Sequence, residues 1–183
     1  MNDGKILIVS GCKYPEGDAG SVRIHALAKL FELCGKKTVV IGKGNKTTSD
    51  KNFHDGVEYL SFRKNGQGLF GKIKDRFGYE YLLDEYLQAH GSDYSHILIV
   101  DVPFGAIRKA VKFAKKNDIQ LLHDSLEWYS TSEFKLGSLD PMYRHRDTLN
   151  RRIINQDFKV IAISKYLQHY FEGKGCKTIR IPA

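Results

Sequence analysis

"KILIVSGCKYPEGDAGSVRIHALAKLFELCG", residues 5–35, sets an apolar run, a glycine-bearing polar loop and a helical pattern in succession. The run "KILIVS" (5–10) is nearly all branched apolar side chains, as in a strand buried on both faces of a parallel sheet. Within 20–34, Ile24, Leu27, Ala28, Phe31 and Cys34 recur on one helical stripe. Gly35 follows where a helix commonly ends in the left-handed conformation.

The same alternation continues outward. "KTVVIG" (37–42), "HILIVDV" (96–102), "IQLLHD" (119–124) and "KVIAIS" (159–164) read as further buried strands. "VEYLSF" (57–62) reads as a more peripheral strand, and "KTIRIP" (177–182) as an edge strand ending at Pro182. Helices are predicted over 20–34, 70–89, 104–116, 141–156 and 165–172. Pro141 suits a first helical turn, and Ser164 caps the last helix, with Leu167, Tyr170 and Phe171 inward and Gly173 at its end. The stretch 43–55, "KGNKTTSDKNFHD", reads as a loop. The fold expected is α/β: a Rossmann-like, doubly wound, mainly parallel sheet of about seven strands with helices on both faces, in one domain over 1–183.

Composition narrows the class. The chain has 183 residues, enough for one sizeable core. With 42% hydrophobic and 27% charged residues it reads as an ordinary globular protein rather than a disordered one. No apolar run approaches the roughly 20 residues of a membrane span, and "ILIVS" is too short for a signal peptide. Cys12, Cys34 and Cys176 lie far apart without a CxxC pair, which argues for a reducing compartment and gives the cytoplasm as the expected location. The seven histidines contain no HxxxH and the carboxylates no paired cluster, so no metal and no cofactor is expected. A net charge of +8 favours anionic partners, namely nucleic acid, phosphorylated small molecules or acidic lipid; a lysine-rich surface that only keeps the protein in solution explains it equally.

The loop after the first strand is a ligand site by position, because open α/β sheets bind at the carboxyl ends of their strands. Gly11, Gly17 and Gly20 allow close backbone approach, and the helix that follows presents amides and a positive dipole end to an anion. A dinucleotide fingerprint is excluded: the loop has no GxG, and strand two ends on Lys43 instead of an acidic residue. A Walker A loop is excluded because "GDAGS" lacks its lysine. A plain strand–helix connection that needs glycine for turning remains the other reading.

Two longer stretches carry a resemblance. "KILIVSGCKYPEGDAGSVRIHALAKLFELCGKKTVVIG" resembles the opening of the N-terminal domain of retaining GT-B glycosyltransferases of family 4, and "DFKVIAISKYLQHYFEGKGCKTIRIP" resembles the end of that domain. "HDSLEWYSTSEF" (123–134) is similar to the segment after the fifth strand in some members. Two departures stand out. Gly17 and Gly20 are separated by Asp18 and Ala19 where many members have adjacent glycines, and the sequence stops at "IPA" where members continue into a second, donor-binding domain.

The resemblance implies the acceptor-side half of a glycosyltransferase that moves a sugar from a nucleotide-sugar donor to a saccharide or lipid-linked acceptor, in polysaccharide or glycolipid assembly, without a metal. The 183 residues alone are then expected to bind weakly and not to turn over. It also implies that Gly17, Asp18, Ala19, Gly20 and Ser21 approach the donor phosphate and sugar, with Arg23 one helical step in, or else paired at the surface. At the strand ends Asp101 and Asp124 face the expected cleft, and Asp124, His123 and Glu127 are the catalytic candidates. His123 reads first as a core histidine bonded to backbone, and Asp124 equally as a cap on the next turn. Asp101, Trp128 and Tyr129 are the acceptor candidates, since aromatic faces pack against sugar rings; Trp128 reads also as a loop anchor.

"RKNGQGLFGKIKDRFGYEYLLDEYL" (63–87) interleaves Arg63, Lys64, Lys72, Lys74 and Arg76 with Leu69, Phe70, Ile73 and Phe77, so peripheral contact with the inner membrane face through 63–77 is one reading and a sheet-covering helix the other. Rival classes are a non-catalytic α/β module for an anionic ligand, or for nucleic acid through Arg144, Arg146, Arg151 and Arg152. No nucleic-acid motif accompanies those arginines, and nucleic acid is not an expected partner. A receiver domain is excluded because no acidic pair follows strand one.

Overall fold

The computed structural model describes residues 4–44, 52–63 and 69–182. They form two compact units, Met1–Leu121 and Leu122–Ala183.

The first unit begins with β1 (Lys5–Lys13), α1 (Ala19–Leu33) and β2 (Thr38–Gly44). It continues through β3 (Asn52–His54), β4 (Val57–Arg63), α2 (Leu69–His90), β5 (Tyr94–Val100) and α3 (Phe104–Lys116). Its strands lie in the order β3-β4-β2-β1-β5. β1 runs parallel to β2, with Leu7 opposite Val39, and parallel to β5, with Leu7 opposite Ile97. β2 and β4 are parallel as well; β3 is antiparallel to β4. Ile6, Leu7, Ile8 and Val9 are all buried, as expected of a strand with helices over both faces. Ile24, Leu27 and Ala28 of α1 face the core, joined by Ser21, while Cys34 is exposed. In α2, Tyr79, Leu83 and Leu87 bury at four-residue spacing, and in α3 Ala106, Ile107, Ala110 and Ala114 do so. Gly35 has φ 80°, in the left-handed conformation anticipated for it.

β6 (Gln120–Ser125) enters the second unit at Leu122, and this unit goes on with α4 (Pro141–Thr148), β7 (Phe158–Ala162), α5 (Lys165–Gly173) and β8 (Lys177–Arg180). β6 lies next to β7, and β7 pairs parallel with β8, Val160 opposite Thr178. Asp140 caps α4, accepting from the Met142 amide at 2.8 Å. The Ser164 hydroxyl accepts from the Leu167 amide at 3.2 Å and caps α5. Phe158 and Phe171 are fully buried and centre this unit's core.

Two expectations are corrected. The helix over 141–156 ends at Thr148 and passes into a π-turn, Leu149–Ile153, that buries Leu149 and Asn150. The Lys174 ammonium donates to the carbonyls of Asn150 at 2.6 Å and Arg151 at 3.1 Å, and to that of Ile154, satisfying acceptors that the wider turn strands. The supposed loop 43–55 contains β3, which raises the strands among the described residues to eight. A short polar segment can be a strand at a sheet edge, where only one side needs pairing. Residues 45–51 lie outside the described residues, as do the side chains of Arg63, Lys64, Leu69, Phe70, Lys72, Ile73, Lys74 and Arg76 in the basic stretch; Phe77 is exposed. No helix among the described residues is long and apolar enough to cross a membrane.

Candidate functional site

In the first unit the chain leaves β1 toward β2 on one side and later returns to place β5 on the other. The carboxyl ends of β1 and β5 therefore flank a switch point, the place where open α/β sheets hold ligands. A cleft of about 870 Å³ opens there. Its walls are Gly11–Asp18 after the core of β1, Lys43 and Gly44 at the end of β2, Tyr59 and Ser61 of β4, and Asp101 after β5.

Two missing Cβ atoms shape it. A side chain at Gly11 would run into the Asp101 carbonyl oxygen and come within 2.9 Å of its carbon, so only a bare backbone lets β1 pass the turn after β5. Asp101 itself has φ 50°, an uncommon conformation outside glycine and one often found at functional sites. At Gly42 a Cβ would lie 2.5 Å from that of Tyr14, so Tyr14 sits directly on β2.

Tyr14 is the centre of the cleft's floor. Its amide donates to the Lys43 carbonyl at 3.1 Å, and its carbonyl accepts from the Ser61 hydroxyl at 3.3 Å. Its hydroxyl is 2.9 Å from Nδ1 of His25 on α1, whose Nε2 lies 3.6 Å from the Asp55 carboxylate. The rings of Tyr14, His25, His54 and Tyr59 pack against one another with centroids 5.2–6.3 Å apart. Burial, with Glu32, Tyr59 and Asp55 nearby, pushes the Tyr14 phenol up to about 12. Behind it, the Tyr79 hydroxyl donates to the Ser10 carbonyl at 2.7 Å, and burial raises this phenol too. The Cys12 thiol is raised mainly by burial, with the Ser10 hydrogen bond acting in the opposite direction. Lys43 Nζ lies over the Tyr79 ring at 6.0 Å.

Among the residues read as donor-binding, Gly17 and Asp18 line the cleft. Asp18 is the N-cap of α1: its carboxylate accepts from the Gly20 amide at 3.0 Å, and its carbonyl accepts from the Ser21 amide at 3.0 Å and the Ser21 hydroxyl at 2.8 Å. The cap thus uses the amides of Gly20 and Ser21 and the hydroxyl of Ser21, which is buried. Ala19 is exposed, and Arg23 is half-buried one turn into α1. Asp101 lines the same cleft.

The other named residues belong to the second unit. His123 and Asp124 are buried in β6, His123 edge-on to Phe171 at 6.2 Å. Glu127 is exposed and accepts from the Tyr129 hydroxyl. Trp128 packs edge-on against Tyr170 at 4.4 Å and Tyr166 at 6.0 Å, with the Arg151 guanidinium over its ring at 5.2 Å. It anchors the segment after β6 onto α5. Tyr129 leans on Phe134 at 5.3 Å.

Tyr14, His25, Asp55, Tyr59 and Ser61 were not picked out from sequence. They come from four separate segments and share no spacing. The one available signal was that Gly42 interrupts an otherwise apolar strand, which marks a close approach by another chain segment.

No family model and no curated protein sequence matches the chain. Solved structures do. Sucrose-phosphate synthase from Thermosynechococcus elongatus superposes with a TM-score of 0.67 at 12% identity, over 98% of this chain and 48% of its own. UGT89C1 of Arabidopsis thaliana, solved with UDP, gives 0.62 at 11%, over 97% and 51%. WaaG, a glycosyltransferase involved in lipopolysaccharide biosynthesis, gives 0.58 at 13%, over 96% and 44%. These likenesses show the fold: a Rossmann-like α/β unit of the GT-B type, in agreement with the sequence reading. The chain spans about half the length of each of these three proteins.

Proposed function

We propose that the chain is the N-terminal, acceptor-side half of a retaining family-4 GT-B glycosyltransferase, which transfers a sugar from a nucleotide-sugar donor to a saccharide or lipid-linked acceptor. One observation carries the reading: the cleft at the β1/β5 switch point, bordered by the loop ahead of α1 and by Asp101. UGT89C1, which shares the fold, was solved with UDP, which supports a nucleotide diphosphate as part of the donor.

In this reading the Gly17–Ala19 amides and the positive end of α1 face the diphosphate and stabilise the charge that grows on it as the glycosidic bond breaks. Gly20 and Ser21 hold that turn in shape through the Asp18 cap, close to the donor, and Arg23 is the proposed side-chain contact to its phosphate. Asp101, Trp128 and Tyr129 are the proposed acceptor contacts, and Asp124, His123 and Glu127 the proposed catalytic groups. Most of the donor is held by a second domain, and these residues alone do not turn over.

The test is a ¹⁵N NMR titration of the chain with UDP-, GDP- and ADP-sugars. Weak binding, with a Kd on the order of 1 mM, is expected to shift the amides of 11–14, 16–19 and Gly44 first. Unmoved amides in that set with every nucleotide sugar would refute the reading.

A further inference from the structure

We infer that the second unit carries a platform for an uncharged pyranose ring, built from Trp128, Tyr166 and the Arg151–Asp147 pair. It rests on the reading of Trp128 and Tyr129 as acceptor contacts, and it narrows the acceptor to a saccharide whose neighbouring hydroxyls are read in pairs. Every residue in it lies within Leu122–Ala183.

The aromatic part is anchored on one side and open on the other. Tyr170 meets Trp128 edge-on at 4.4 Å and fixes the indole against α5. Tyr166, one turn earlier on the same helix, stands 6.0 Å from the indole with its plane turned by 66°. It is 66% exposed, so packing alone does not account for its position. Two rings set at an angle offer a sugar both a face and an edge, and aromatic walls with a few placed polar groups are what small-ligand sites are made of.

The polar part is a donor and an acceptor held side by side. Asp147 and Arg151 lie four residues apart across the passage from α4 into the π-turn, and Asp147 Oδ1 accepts from Arg151 Nε at 2.6 Å. The Tyr143 hydroxyl donates to the same oxygen at 3.5 Å. Among the described residues no bond is seen to Asp147 Oδ2 or to the terminal N–H groups of Arg151, whose guanidinium lies over the Trp128 ring at 5.2 Å. An acceptor oxygen next to planar donors, beside an aromatic ring, fits two adjoining hydroxyls. A carboxylate or phosphate fits less well, because Asp147 already balances the guanidinium and would face a like charge.

The turn that creates this arrangement is destabilising by itself. Leu149–Ile153 buries Asn150 to 2% exposure, with its side-chain nitrogen lacking a hydrogen-bond partner among the described residues. Buried donors are nearly always paired, and π-turns recur at functional sites. What the wide turn delivers is Arg151 over Trp128.

Trp128 is the only tryptophan in the chain, so its fluorescence reports the platform directly. The 183-residue chain is titrated with the methyl pyranosides of glucose, galactose and mannose, with cellobiose, maltose and lactose, and with glucuronate and the acyclic polyol sorbitol. At least one neutral ring sugar is expected to change the emission saturably, with a Kd on the order of 10 mM, and sorbitol, which has hydroxyls but no ring, is not. Tyr166→Ala should weaken binding about fivefold and Arg151→Gln about tenfold. Tyr166→Ala should melt with wild type, since the side chain is exposed, and Tyr81→Ala, at an equally exposed tyrosine of the first unit, should bind as wild type does. The inference falls if no ring sugar perturbs Trp128, if sorbitol does so equally, if glucuronate binds more tightly than the neutral sugars, or if Tyr166→Ala binds like wild type. A saturable sugar response with unmoved amides at 11–14, 16–19 and Gly44 in the nucleotide-sugar titration keeps the platform and removes the transfer reading; the reverse pattern removes the platform alone.

Discussion

Replacing Gly11 by alanine is the sharpest test of how the cleft is built. The added methyl would meet the Asp101 carbonyl oxygen, with the Asp101 carbon 2.9 Å and the Val102 Cα 3.3 Å away. All three are backbone atoms, so no rotamer change relieves the clash. Either β1 slides against β5, breaking a register in which Ser10 faces Val100, or Asp101 leaves its φ of 50°. Overpacking of this kind costs about 3 kcal/mol, which for a chain of this size lowers Tm by roughly 6–12 °C. Two other glycines calibrate the assay. At Gly173, the last residue of α5, a Cβ meets nothing within 4 Å, and alanine should be neutral or raise stability by about 0.5 kcal/mol. At Gly35 the space is also open but φ is 80°, so alanine should cost about 1 kcal/mol through conformation alone. Urea and thermal melts of the three variants, followed by circular dichroism, should rank them Gly11→Ala well below Gly35→Ala, and that below Gly173→Ala. If Gly11→Ala melts with wild type, the close passage of β1 over the β5 turn is wrong, and the cleft's floor with it.

Three more outcomes are expected. Because the Tyr14 phenol is held neutral in the fold up to about 12 while an unfolded tyrosine ionises near 10.0, the unfolded chain loses its proton first. That contribution, on the order of 2 kcal/mol, is fully present below pH 10.0 and disappears as pH rises to about 12; urea melts and tyrosinate absorbance across this window should show it, and Tyr14→Phe should flatten the fall. Lys174→Met removes donation to three carbonyls at the end of the π-turn and should cost about 1–3 kcal/mol by the same melts. With a maleimide reagent, exposed Cys34 should react first and Cys12 slowly, since burial raises its thiol, and mass spectrometry of the peptides reads the order.

How far the sequence carried the argument follows from which interactions are local. Strands such as Ile6–Val9 and helices such as α3 announce themselves because burial imposes a period on adjacent residues, and the caps Asp140 and Ser164 act within three residues of themselves. From those elements the doubly wound order follows by the handedness of crossovers, and the loop before α1 becomes a site by position alone. The floor of the cleft follows from no such rule. Tyr14 reaches Ser61 across 47 positions and Tyr79 reaches Ser10 across 69, and both contacts depend on register and on where a side chain fits over Gly42. The π-turn was equally hidden: its stabilising partner, Lys174, lies 20–24 residues downstream, so 141–156 reads locally as one unbroken helix. The loop at 16–21 shows both halves of the lesson. Its glycines point to a phosphate cradle, yet Asp18, read as a ligand contact, turns its carboxylate to the Gly20 amide. A carboxylate that caps a helix competes with an incoming anion for the same dipole, so the proposed function puts the donor on the Gly17 side of the turn, where Gly17 lines the cleft.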